Sequence, residues 1–308
     1  EEIIMKPVPH KERSLLERIR KNKNAYFFLI PIFLFLCTFK YYTFFTAIVE
    51  SFFKWNGANV NVWVGLENYR KVLTENTFWI SMKNVGIITI CNVIICVTFP
   101  MLAAIMVYSC KNKHISNFFK ILYIIPMVVP SLVVFLMWKW IYAFDTGAIN
   151  QLLRLCGLDN LVHSWLGEPG TALAAIIMIG FPFIGAFGLQ FLVYLGALLN
   201  ISVDICESAR LDGIKWWQNI IYIELPMLKP QMKMFVMLAI INSMQSFENI
   251  LVLTEGGPGK STIVPALYMY KQAFTYSNMG YASAIGVLLF LLVLLFTVLN
   301  YKFVNTQD

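Results

Sequence analysis

Charge is scarce in this sequence: Asp, Glu, Lys and Arg make up 13% of its 308 residues, while 58% are apolar. A soluble globular chain carries about 25% charged and about 45–50% apolar residues. With a mean hydropathy of +0.67, too few charges exist to cover a water-facing surface, which excludes a water-soluble enzyme. Histidine is scarcer still. His10, His114 and His163 stand far apart without an HExxH pair, so no metal site and no Ser-His-Asp arrangement can be assembled from them. The six cysteines contain no CxxC, and Cys37, Cys91, Cys96 and Cys110 lie within or at the ends of apolar runs. They serve as small hydrophobes rather than disulfide partners or metal ligands. Internal repeats and low-complexity tracts are also lacking.

What the chain has in abundance is long apolar runs. A spanning helix needs about 20 mostly apolar residues to cross about 30 Å of hydrocarbon at about 1.5 Å per residue. Six stretches meet that need, over about 25–46, 84–108, 121–140, 171–199, 234–254 and 282–301. They are too long and continuous for the alternating strands of a barrel. The first exceeds a signal peptide's apolar core of about 7–15 residues and has no A-x-A-like site after it, so it is expected to be a retained helix. Trp138-Lys139-Trp140 is an interfacial anchor, and Pro126 and Pro130 mark kinks. The fold class expected is an all-α membrane protein with six transmembrane helices.

The net charge of +7 is a topology signal rather than a nucleic-acid footprint. With the N-terminus in the cytoplasm, fifteen Lys and Arg fall in inside segments and seven in outside ones, as the positive-inside bias requires. Both termini are then cytoplasmic. Residues 1–24 form a basic cytoplasmic tail suited to anionic membrane lipid, and 25–308 the transmembrane domain. Segments 47–83 and 143–170 face outward, with Trp55, Trp63, Tyr69 and Trp165 among polar residues. The longest inside loop covers 204–230.

One motif is a decoy. Thr254-Glu255-Gly256-Gly257-Pro258-Gly259-Lys260-Ser261 ends like a phosphate-binding loop, but Thr254 stands where G-x-x-x-x-G-K-[ST] needs glycine. It also lies on the outer side with no strand before it, so it is a glycine-proline turn, and the chain is expected not to hydrolyse ATP.

Loop 204–230 is patterned as helix, turn, helix. Asp204 to Leu211 starts a helix, and Asp212-Gly213 stops it with Gly213 free to take positive φ. Ile214 to Ile223 places Trp216, Trp217, Ile220 and Ile221 on an apolar side. Pro226 and Pro230 break the pattern before the fifth span. An amphipathic hairpin lying on the membrane explains the tryptophans but not the Asp-Gly turn and small residues, which suit a protruding knob.

This loop resembles the EAA motif, E-A-A-x-x-D-G-A-x-x-x-x-x-F-x-x-I-x-L-P-x-L-x-P, of membrane permeases in binding-protein-dependent ABC importers. Glu207, Ala209, Asp212, Gly213, Ile223, Leu225, Pro226, Leu228 and Pro230 match, Ser208 and Ile214 replace alanines, and Tyr222 sits near the aromatic position. Gly65-Leu66-Glu67-Asn68-Tyr69, Gly147-Ala148-Ile149-Asn150 with Trp165-Leu166, Phe247-Glu248-Asn249-Ile250 with Leu253-Thr254-Glu255-Gly256-Gly257-Pro258, and Gly280-Tyr281-Ala282-Ser283-Ala284 resemble further boxes of the maltose- and glycerol-phosphate-type sugar permeases. The resemblance covers almost the whole chain.

The resemblance implies a type I ABC importer permease fold in a bacterial cytoplasmic membrane, a non-catalytic subunit without cofactor or metal. It implies a second homologous permease subunit, two ATPase subunits, an extracytoplasmic solute-binding protein and a carbohydrate substrate. Glu207, Ser208, Ala209, Asp212, Gly213 and Pro226 would form the ATPase-coupling element. A permease for a peptide or other polar solute is the nearest alternative. An ion-coupled secondary transporter would need intramembrane charges, of which only Glu248 is available, and leaves loop 204–230 without a purpose.

Polar side chains inside a span face a cavity or a partner. Asn242, Gln245, Ser246 and Asn249 stand at i, i+3, i+4 and i+7, one face of a continuous helix. That face suits sugar hydroxyls, which need donors and acceptors, and suits equally a contact with another helix. Glu248 lies about one turn from the outer end, placed to snorkel or to pair with a docked protein. Phe181-Pro182-Phe183 breaks the fourth span, where its rings either pack in the core or stack on a sugar.

Overall fold

The computed structural model describes residues 23–179, 181 and 187–303. The chain divides into two compact units, Glu1–Val49 and Glu50–Asp308. The described part of the first is one helical run: α1 (Lys23–Leu36), a π-helical turn (Cys37–Tyr42) that carries Lys40, and α2 (Thr43–Glu50), whose last residue begins the second unit. Its apolar side chains, Phe28, Phe33 and Phe39 among them, are exposed on every face, as suits a helix surrounded by lipid or partner helices. Most of the predicted tail, residues 1–22, lies outside the described residues.

The second unit opens with a two-stranded antiparallel sheet, β1 (Phe53–Trp55) and β2 (Asn61–Trp63), in the register Phe53↔Trp63, Lys54↔Val62, Trp55↔Asn61. This corrects the all-α expectation to a mostly helical one. The strands are aromatic-rich, as pleated pairs favour, and Asn56 Oδ1 closes the turn by accepting from the backbone N–H groups of Ala58 and Val60, each at 3.0 Å. After α3 (Glu67–Thr74) comes α4 (Asn76–Ser109), whose 34 residues outrun the predicted second span. At about 1.5 Å per residue it reaches well beyond the hydrocarbon, where polar residues continue the helix.

The predicted third span is α5 (Lys113–Ile124), a 3-10 turn (Ile125–Val128) and α6 (Ser131–Ile141), bent by 99°. Pro126 and Pro130 stand on either side of this break, consistent with the missing N–H of each. Then follow α7 (Ala148–Leu155), α8 (Ala172–Ile177), α9 (Phe187–Leu199), α10 (Val203–Leu211), α11 (Trp216–Asn219), α12 (Leu225–Gln245), α13 (Glu248–Leu253), α14 (Pro265–Tyr270) and α15 (Met279–Phe303).

Among the described residues three helical runs, Phe27–Glu50, Asn76–Ser109 and Met279–Asn300, suffice to cross a membrane, and up to five if two bent pairs are each one span. Six predicted crossings are therefore not six unbroken helices. The fourth falls on α8, undescribed residues and α9, and the fifth is cut between α12 and α13.

Helices α4, α9 and α12 pack together around Phe191, Tyr194, Leu198, Leu228 and Phe235, all nearly inaccessible. At the other end of α4 a separate cluster joins Val72 and Phe78 to Ala284 and Ile285 of α15. The two ends of α4 thus anchor two different surfaces, the hairpin 203–224 at one and the small sheet at the other. Two asparagines lock the sheet end and the 143–170 segment. Asn68 Nδ2 donates to Ser51 O and Phe53 O at 2.8 and 2.9 Å. Asn150 Nδ2 donates to Phe144 O and His163 O, while its Oδ1 accepts from Trp165 Nε1 at 2.8 Å.

Candidate functional site: an exposed hairpin and a cavity between the helices

The hairpin is built as its sequence dictates. Asp204 lies in the first turn of α10, where a carboxylate favours the helix dipole. The helix ends at Leu211, Gly213 takes φ +67°, and Ile214 N donates back to Ala209 O at 3.3 Å, the 6→1 bond of a Schellman ending. Nothing lies within 4 Å of a Cβ built on Gly213, so glycine is needed there for its backbone and not for space. The next helix, α11, is preceded by Lys215, whose N–H donates to Gln218 Oε1 at 2.7 Å.

Of the six predicted coupling residues, only Ala209 is buried. Glu207, Ser208, Asp212, Gly213 and Pro226 are exposed. The apolar side predicted for the second helix divides. Ile220 and Ile223 pack on the main core, while Trp216 remains 77% exposed beside an outward Leu211 at 89%. Both are large apolar side chains that the described residues leave uncovered. Only Pro226 marks a helix start. Pro230 lies inside α12, which continues through it, and a π-helical turn at Ile220–Glu224 leads into the helix. At that turn Glu224 is 2% exposed. Asn219 Nδ2 donates to its Oε1 at 2.7 Å, its Oε2 has no partner among the described residues, and burial raises its carboxyl above the ordinary range.

The predicted polar face of the fifth span is not one helix face. α12 ends at Gln245, Ser246 is extended, and Asn249 belongs to the separate α13. Asn242, Gln245, Ser246 and Glu248 are exposed. Asn249 alone turns into a cavity of about 420 Å³, together with Asn92 of α4 and Ser131 at the start of α6. Asn249 Oδ1 is buried with no hydrogen bond among the described residues, and Asn92 Nδ2 donates to Ser243 Oγ at 3.2 Å. Asn92 and Ser131 were missed from sequence, although an asparagine within the charge-free stretch 84–110 is itself a signal. Phe181 meets Phe99 edge-on at 4.6 Å, a packing contact; Pro182 and Phe183 lie outside the described residues.

The decoy loop is a structural clasp. Lys260 Nζ donates to Thr77 Oγ1 at 2.6 Å, Asn84 Nδ2 donates to Lys260 O and Ile263 O, and Thr262 Oγ1 donates to Gly257 O. Its lysine is occupied within the fold. Lys139 Nζ donates to Val252 O at 3.0 Å, tying α6 to α13.

Long apolar helices, an uncharged cavity among them and a knob with exposed apolar side chains define a membrane permease subunit. Residues 97–306 match the family of binding-protein-dependent transport system inner membrane components. The chain is 31% identical to the probable ABC transporter permease protein YurN of Bacillus subtilis, over 94% of this chain and 98% of that one. It is 30% identical to the multiple sugar-binding transport system permease protein MsmF of Streptococcus mutans, over 92% and 97%. It is 31% identical to the trehalose/maltose transport system permease protein MalF of Thermococcus litoralis, over 78% and 79%. A chain from the crystal structure of a bacterial ABC transporter that imports the acidic polysaccharide alginate superposes with a TM-score of 0.85 at 21% identity, covering 95% of this chain and 98% of that one. The chain belongs to the binding-protein-dependent ABC transporter permeases, in their carbohydrate-uptake family, and is a non-catalytic, multi-pass component of the inner membrane.

Proposed function

We propose that this subunit forms half of the pathway of a carbohydrate importer and receives ATPase closure through the hairpin 203–224. Its relatives include permeases named for multiple sugars, lactose and arabinooligosaccharides, and the uncharged cavity of Asn92, Ser131 and Asn249 offers donors and acceptors to hydroxyls without a charge to trap them. A second permease covers the exposed Asn242, Gln245 and Ser246, since polar groups at membrane depth need a partner or a water-lined path. Two ATPase subunits grip the knob. A solute-binding protein docks on the 47–83 and 143–170 side, as a periplasmic protein is in complex with the alginate transporter in its crystal structure. Six crossings with both termini in the cytoplasm, tail 1–24 and domain 25–308 follow from the same orientation. ATP and the loaded binding protein each bias a two-state rocking of the halves.

The observation that supports the solute path is the cavity lined by Asn92, Ser131 and Asn249, beside an Asn249 Oδ1 that is buried with no hydrogen-bond partner among the described residues. Each hydrogen bond exchanged there is worth about 0.5–1.5 kcal/mol net, so Asn249→Leu should lower uptake at subsaturating sugar about tenfold while the complex assembles. Gln245→Leu separates the roles: it faces outward, so lost assembly makes it interhelical contact, and lost uptake with normal assembly makes it part of the path. Normal uptake in Asn249→Leu would remove the cavity from the path.

A further inference from the structure

At the sheet end of the second unit lies a larger cavity, about 500 Å³, which no part of the coupling or translocation account uses. β1, α3, α14 and the first turn of α15 form its walls. Three rings face it, Trp55, Tyr268 and Tyr281. The two tyrosine hydroxyls lie 3.2 Å apart, with their rings edge to face at 6.3 Å, which fixes both planes.

Between the rings stand polar groups held in place by their neighbours. Glu75 also lines the cavity, and its Oε1 accepts from Thr77 Oγ1 at 2.9 Å, the same hydroxyl that Lys260 holds from the clasp loop. Asn278 Nδ2 donates to Gln272 Oε1 at 3.2 Å, and the Gln272 side chain is hydrogen-bonded in turn to Tyr268, so the amide holds the tyrosine ring in place at the cavity wall. Lys71 pairs with Glu67 at 2.6 Å and holds that carboxyl below its usual range. Lys54 also lines the cavity, so two cations, Lys54 and Lys71, face two carboxylates, Glu67 and Glu75, with Lys71 and Glu67 already paired, and a phosphate or a metal ion finds no excess of the opposite sign. A purely apolar ligand would strand the Glu75 carboxylate.

One chemical class satisfies flat rings interleaved with fixed amides and a carboxylate: an uncharged sugar ring, whose C–H face lies on an aromatic plane while its hydroxyls take donors and acceptors at the edge. The volume falls within the range of about 300–1,000 Å³ typical of ligand pockets. We infer that this cavity is a saccharide subsite on the sheet face, distinct from the cavity between the helices, that holds one end of an oligosaccharide before it enters the membrane. The inference rests on the proposed carbohydrate substrate and on the orientation that puts the sheet outside. It adds a site at which this subunit, and not only the binding protein, selects among oligosaccharides.

The test uses the complete importer in nanodiscs without binding protein, with saturation-transfer NMR to lactose, trehalose, maltose and arabinotriose in turn. At least one should receive saturation, and Trp55→Ala and Gln272→Leu should each weaken its binding about tenfold. Two variants on different elements guard against a folding defect, checked by gel filtration of each complex. No transfer to any of the four sugars, or transfer unchanged in both variants, overturns the subsite. Loss of binding-protein capture in the variants without sugar transfer in the parent also overturns it, assigning the cavity to a side chain of that protein. ATP hydrolysis by the parent complex with loaded binding protein is read on the same particles. Its absence would fault the permease assignment, whereas its presence without sugar transfer faults the subsite alone.

Discussion

At the scale of single residues, Gly280 is under the tightest steric constraint of the described glycines. A Cβ there would sit 1.9 Å from Phe53 O and 3.1 Å from Glu50 O, because α15 starts against the backbone that leads into the sheet. Gly280→Ala must push the helix off, at about 1–3 kcal/mol for overpacking. The melting temperature of the purified complex should fall by several degrees, and an unchanged value would contradict the close approach. Glu224 makes the opposite kind of prediction. Burial penalises its ionised form, so its folded carboxyl titrates above the unfolded one. Protonated in both states at low pH, it costs nothing there; as pH rises through the raised value the folded state loses stability. Glu224→Gln should therefore melt higher than the parent at pH 8, by about 1–3 kcal/mol, with the gap closing toward pH 4.5. A gap independent of pH would show that the carboxyl titrates alike in the folded and unfolded states, and would contradict the burial effect.

At the scale of elements, the sequence was most legible where local chemistry decides the backbone. Asp212-Gly213 foretold the end of α10 within a residue, because only positive φ lets the chain turn there. The proline pair 126 and 130 foretold the break between α5 and α6. The fifth span was misjudged because its polar residues keep helical spacing through Ser246 and Phe247, so periodicity gives no sign of the break. Nothing local distinguishes α12 running on from α12 stopping; the stop is set by packing of α13 against α6, including the Lys139 bond to Val252 O. The small sheet was hidden for a similar reason, its strands being three residues each. Asn68 and Asn150, which stand in the outer boxes, prove to be internal clamps, so a surface probe placed there would unfold what it reports on. Leu66 and Leu155 are the exposed neighbours. Cysteines at these two positions should cross-link to the solute-binding protein in the assembled importer. Capture of an ATPase subunit instead would invert the topology.

For the whole molecule, the account is a division of labour along α4. One end carries the sheet and the cavity beside it, the middle carries Asn92 and the cavity proposed for the solute, and the far end is packed against α9 and α12 beneath the hairpin. Because closely packed helices switch between discrete arrangements rather than deform, a push on the hairpin can move the helices that line the path. That claim needs a rigid knob, and its rigidity rests on the left-handed residue between α10 and α11. The most direct measurement is ATP hydrolysis by the reconstituted importer, with and without loaded binding protein, in the parent and in Gly213→Val. A β-branched residue at φ +67° is strained by about 1–3 kcal/mol, whereas Gly213→Asn tolerates the same conformation and serves as the control. The account predicts that binding-protein stimulation is lost or sharply reduced in Gly213→Val and largely kept in Gly213→Asn. Parent-level stimulation in Gly213→Val would contradict it.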